Sequence, residues 1–116
     1  MRHQKKRRIM LPKGRREALI RGLAQSLVLH EQIKTTEARA KVLKGFVDKL
    51  INHAKKEDKV SAIRSVNEHL YDKNAAKKLI EVIATRYTDK TSGYTKTIKA
   101  GCRAGDSAPM VIVKLT

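Results

Sequence analysis

The sequence predicts an α+β fold in which three or four helices pack on a small antiparallel sheet behind an extended basic arm. Three observations carry this. Apolar residues recur at helical spacing through four stretches between residues 15 and 87. After Tyr87 the period changes to strand-type runs around a turn-rich segment. The first sixteen residues hold eight of the 27 Lys and Arg and none of the 11 Asp and Glu, so they belong outside the core.

Residues 1–14 are expected to form the arm and 15–116 a single globular domain. Pro12 and Gly14 break regular structure before the domain begins. Residues 15–30 read as a helix, with Leu19, Leu23 and Leu27 flanked by Ile20, Ala24 and Val28 in one broad stripe. Residues 32–35 suit a brief edge strand around Ile33. A second helix starts with Thr35 or Thr36 as its cap. It runs to about Lys56 with Leu43, Phe46, Val47, Leu50 and Ala54 on its apolar face. Gly45 weakens this helix by about 1 kcal/mol relative to alanine. A third, weaker helix covers 59–70, with Val60, Ile63, Val66 and Leu70 as its apolar positions. Asp72 caps a fourth, whose inner face is Ala76, Leu79, Ile80, Ile83 and Tyr87. Residues 88–93 form a loop, and 94–99 and 110–115 are strands joined through the turn residues Gly101, Gly105, Asp106 and Ser107. Residues 110–113 are apolar on both faces, so helices should cover that strand.

A chain of 116 residues can bury about two-thirds of its unfolded surface and needs no disulfide or structural metal. Its formal charge of +16 favours a polyanionic partner that allows counterion release. Nucleic acid and an anionic membrane surface both qualify. No run approaches the roughly 20 apolar residues of a bilayer span. The basic start leads into no apolar signal segment, so the protein is expected to stay where it is made, without a membrane partner. Cys102 is the single cysteine, and His3, His30, His53 and His69 have no metal-ligand spacing, so no metal or cofactor is expected. No nucleophile motif, phosphate-cradling Gly-Lys loop or carboxylate cluster for catalytic magnesium occurs, which argues against an enzyme and against a small-molecule substrate.

Candidate RNA contacts follow from charge and helix-end chemistry. Arg2, Lys5, Lys6, Arg7, Arg8, Lys13, Arg15 and Arg16 would lie along phosphates. The arm is expected to be unordered in the free protein, on charge grounds. Thr35 and Thr36 offer hydroxyls at the positive end of a helix dipole, with Lys34, Arg39 and Lys41 close by; the alternative is an ordinary cap. Gly93-Tyr94-Thr95-Lys96 can present a ring and a cation to RNA, or Tyr94 can pack on the core. Arg103 at the hairpin tip can reach a groove, or sit in an exposed loop.

These residues together form an ordered set: Met1-Arg2-His3, then Arg16, Ala18-Leu19 and Arg21, Ser26-Leu27, His30-Glu31, Ile33-Lys34-Thr35-Thr36, Ala40-Lys41 and Leu43. Arg86-Tyr87, Gly93-Tyr94-Thr95-Lys96, Arg103-Ala104-Gly105-Asp106 and Ala108-Pro109-Met110 complete it. The chain thereby resembles the family of ribosomal protein seventeen of the bacterial large subunit, from Met1 to Leu115. The resemblance implies a structural constituent of the large subunit bound to 23S rRNA. Other large-subunit proteins would be its neighbours, towards the side where the tunnel exits. It implies an order of helix, strand, three helices and two strands, with 32–35 as the first strand of a three-stranded sheet. It adds His3 and Arg21 to the candidate contacts. The segment Ile9 to Arg15 departs from the family's arm and is one residue shorter, and Lys96 stands where the family often has arginine, which loses the bidentate fork. The alternative class is a free nucleic-acid-binding regulator or architectural protein.

Overall fold

The computed structural model describes residues 9–116. The expectations for Arg2, His3, Lys5, Lys6, Arg7 and Arg8, and for the order of most of the arm, fall outside the described residues.

Helix α1 spans Lys13–His30, so it begins inside the segment that the sequence places in the arm. Pro12, at φ −53°, occupies the N-cap, and its carbonyl accepts from the Arg16 amide at 2.9 Å. A proline breaks a helix only where its N–H is needed, and at a helix start it is not. Gly14 lies in the same first turn. α1 buries Ile20, Ala24, Leu27 and Val28, and ends at Glu31, which takes the left-handed conformation with φ 61°.

Strand β1, Gln32–Thr36, follows at once and leads directly into α2, Glu37–Ala54. Thr36 is the N-cap of α2 by position, but its hydroxyl makes no capping bond. Glu37 in the first turn complements the dipole instead and pairs with Lys41 one turn on, at 3.1 Å. α2 is the central helix. Leu43, Val47, Leu50 and Ile51 are completely buried against the other helices and the sheet.

Helix α3, Lys59–His69, is capped by the Asp58 carboxylate, which accepts from the Val60 amide at 3.2 Å. Its buried face uses only part of the apolar set marked in the sequence. Ala62, Val66 and the following Leu70 face inward, whereas Val60 and Ile63 are exposed. Helix α4, Lys73–Lys78, is capped by Asp72 through the Asn74 amide at 3.0 Å. It runs on into a π turn at Leu79–Ile83 and one last α turn, α5, at Ala84–Arg86. The wide turn suits the sequence, because Leu79, Ile83 and Tyr87 recur every four residues and all are buried. Ile80 is only half-buried.

Strands β2, Thr95–Cys102, and β3, Pro109–Leu115, form the hairpin, and the sheet order is β1-β3-β2 with both pairings antiparallel. The three-stranded sheet and the helix–strand–helices–hairpin order match the expectation. β3 is central. Lys99 pairs with Val111 and Cys102 with Pro109, so Ala100 and Gly101 oppose Met110 alone. This two-against-one bulge places Gly101 at φ 80°, a conformation that suits glycine.

Glu31 ties the parts together. Its carboxylate accepts from Arg86 through two bonds of 3.0 and 3.2 Å and pairs with Lys78 at 3.2 Å, while its carbonyl accepts from the Leu115 amide. The Arg86 and Lys78 bonds hold its carboxyl below the ordinary value of 4.5. A depressed carboxyl contributes stability above its unfolded value and loses that contribution as pH falls through the folded one. Glu31→Gln is therefore expected to cost about 0.5–1 kcal/mol at neutral pH, since the network is partly exposed. The melting temperatures of wild type and variant should converge below the ordinary carboxylate range. A constant gap down to strongly acid pH would contradict this role.

Candidate nucleic-acid interface

The helices cover one face of the sheet. Thr35, Val111 and Val113 lie on that face and are buried. Alternation then sends Lys34 and Thr36 of β1, and Met110, Ile112 and Lys114 of β3, to the other face. Cross-strand register completes the pattern. Gln32, Lys114 and Lys96 form one row, and Lys34, Ile112 and Ile98 form the next. Three lysines thus surround a small apolar patch on which Ile98 is 39% exposed. Lysine stems can lie along such a surface while their ammonium groups reach outward.

Lys114 is absent from the candidates that the sequence offers. It sits inside the apolar run 110–115, and only the parity it shares with Met110 and Ile112 marks it for the open face. A second group is likewise invisible in the sequence. Where α2 leaves β2 uncovered, Lys44 and Lys99 line a shallow cavity of about 250 Å³ with Lys41 and Glu37. Arg39, nearby on α2, is exposed.

The basic residues of α1 form a separate group. Lys13 and Arg15 are exposed, and Arg16 and Arg21 are half-buried. Arg21 donates to the Tyr71 hydroxyl, and its guanidinium carbon lies 5.5 Å from the centre of that ring. An 18-residue helix is about 27 Å long, so the start of α1 and strand β1 stand far apart. The described candidates thus fall into two separate groups on the surface.

Two threonines and a tyrosine behave differently from the basic residues. Thr35 is 5% exposed and paired with Val111, so its hydroxyl is not presented to solvent; Thr36 is half-buried. Tyr94 is completely buried, which corrects the expectation of a ring laid against RNA. Its ring packs 5.3 Å from that of Tyr87. Its hydroxyl lies 2.6 Å from Asn52 Oδ1 and 2.8 Å from the Lys90 carbonyl, and accepts from Lys55 Nζ at 3.1 Å. Of the side chains in 93–96, only that of Lys96 therefore faces outward.

Arg103 is exposed at the hairpin tip, but its fork is occupied. Nε and Nη2 donate to the two carboxylate oxygens of Asp106 at 2.9 and 2.6 Å. Arg103, helped by the Ala108 amide, holds the Asp106 carboxyl down at about 2. A phosphate approaching Arg103 must compete with this pair.

Among the described residues no group of His, Cys, Asp and Glu could hold a metal ion, and no helix is long and apolar enough to cross a membrane. His69, at the end of α3, is pushed below its ordinary value by burial and then by nearby Arg21.

The family model described as ribosomal protein L17 matches residues 19–116. The chain belongs to the ribosomal protein L17 family. Full-length relatives agree. Large ribosomal subunit protein bL17 of Desulforudis audaxviator is 45% identical over 109 residues, covering 94% of this chain and 96% of that protein. The bL17 protein of Rickettsia canadensis is 44% identical over 115 residues, covering 98% and 84% respectively. That of Syntrophotalea carbinolica is 45% identical over 116 residues, covering 99% and 74%. The L17 match takes in the whole open sheet face and begins within α1, after Lys13, Arg15 and Arg16.

Proposed function

We propose that this L17-family protein is a non-catalytic structural component of the large ribosomal subunit that binds and stabilises folded 23S rRNA. Its location is then the ribosome in the cytoplasm, beside neighbouring large-subunit proteins. The observation that carries the reading is the helix-free sheet face, where Lys34, Lys96 and Lys114 surround Met110, Ile98 and Ile112. A flat surface rimmed by long-stemmed cations suits the backbone of folded RNA, to which lysine contributes a point charge. The basic arm and the first half of α1 form the second contact, and Lys41, Lys44, Lys99 and Arg39 extend the charged surface around the edge of the sheet. The names of the relatives support the ribosomal assignment.

The test is co-sedimentation with large subunits through salt-containing gradients. The protein should remain bound at moderate salt and leave only under a strong salt wash. Lys34→Gln, Lys96→Gln and Lys114→Gln combined should lower the slope of log affinity against log salt by about three, one for each phosphate no longer neutralised. Equal affinity for a large-subunit rRNA fragment and for random duplex DNA at several salt concentrations would overturn the reading in favour of a free nucleic-acid-binding regulator.

A further inference from the structure

The crevice between α1, α2 and α3 has features that the open sheet face lacks. Its volume is about 280 Å³, near the lower end of the range for ligand pockets. Ile20 of α1, Val42 and Phe46 of α2, and His69 at the end of α3 form its walls. Phe46 is the sole phenylalanine of the chain and is only half-buried. Its ring meets His69 edge to face at 5.5 Å. His69 Nδ1 is buried and has no hydrogen-bond partner among the described residues.

The mouth is charged. Arg16, Glu17 and Arg21 also line the crevice, all from the first half of α1. Arg21 is held over the exposed ring of Tyr71, which places a second aromatic surface beside the opening. Arginine planes and aromatic rings are the surfaces on which splayed RNA bases stack. The two arginines suit the phosphates on either side of such a base, and the Glu17 carboxylate can accept from an amino group but repels a carbonyl oxygen.

We propose that this crevice seats one unstacked RNA base bearing an exocyclic amino group, next to the point where the basic arm joins the domain. This rests on the RNA-binding reading above and goes beyond it, since charge alone would bind backbone and ignore the base.

The full-length protein, with isotope-labelled Phe and His rings, is titrated with the single-stranded pentamers pentacytidylate and pentauridylate. The two carry the same charge, so the electrostatic contribution cancels between them. Pentacytidylate should shift the Phe46 and His69 ring signals and bind about tenfold more tightly than pentauridylate, the worth of one charge-assisted hydrogen bond. Glu17 is exposed, so Glu17→Gln keeps the fold and should erase the preference. Equal binding with both rings unmoved would overturn the seat and leave the RNA reading standing. Ring shifts with equal affinity for both pentamers would overturn the amino-group specificity. Shifts on adding N-acetylphenylalaninamide but not pentacytidylate would assign the crevice to a neighbouring protein's side chain, against the proposal. If neither pentamer nor a large-subunit rRNA fragment binds at low salt, the RNA reading itself fails.

Discussion

Replacing Tyr94 with alanine is expected to destabilise the domain by about 3–5 kcal/mol, the cost of emptying a fully packed aromatic site. Tyr94 is completely buried and joins three parts of the structure. Its ring packs on Tyr87 after α5, and its hydroxyl meets Asn52 and Lys55 at the end of α2 and the Lys90 carbonyl in the loop between. One hydroxyl proton serves either Asn52 Oδ1 or the Lys90 carbonyl at a given moment, while its lone pair accepts from Lys55. Tyr94→Phe isolates the polar part. It keeps the packing and leaves these groups short of a partner, at about 1–3 kcal/mol. Urea unfolding checks both, with the midpoint falling and the slope unchanged. The same variants test the corrected placement of this residue. Tyr94→Phe should bind rRNA like wild type well below its melting temperature. A large loss of RNA affinity in a folded Tyr94→Phe protein would return the side chain to the interface.

Removal of residues 2–8 is expected to give the largest change in RNA binding. The segment carries Arg2, Lys5, Lys6, Arg7 and Arg8 and no acidic residue. With one phosphate contact for each of the five cations, counterion release predicts that the slope of log affinity against log salt falls by about four to five. Between 50 and 200 mM salt the intact chain should then lose about two to three orders of magnitude more affinity than the truncated one. Filter binding to a large-subunit rRNA fragment measures this directly. Parallel salt lines for the two proteins would remove the arm from the interface and leave the sheet face and α1 as the contact.

The places where the sequence misleads are as informative as those where it does not. Periodicity locates all the helices, and Asp72 is legible as a cap because a short carboxylate meets free amides wherever a helix starts. Periodicity also marks Val60, Ile63, Val66 and Leu70 as one apolar stripe of α3. Only half of that stripe is used, because α3 lies against the other helices through Ala62 and Val66, and a small residue lets helix backbones approach closely. The π turn at Leu79–Ile83 reconciles a four-residue apolar repeat with a helix of ordinary pitch, and no single residue announces it. In the sequence Arg103 is a free cation and Asp106 a turn residue. The tight hairpin tip brings them into a two-bond pair that partly consumes the charge.

By itself the sequence determined the α+β class, the order of the elements, the family, and the one-sided charge that calls for a polyanion. These are sums and patterns over neighbouring residues, and they survive whatever the chain packs against. The tertiary structure alone decided which basic residues stand together. β1 and the hairpin come from opposite ends of the domain, and α2 covers just one side of the sheet they form. That single act of coverage sends Thr35, Val111 and Val113 inward and leaves Lys34, Lys96 and Lys114 on one open face, because burying an apolar face against a helix fixes, by alternation, everything on the other side.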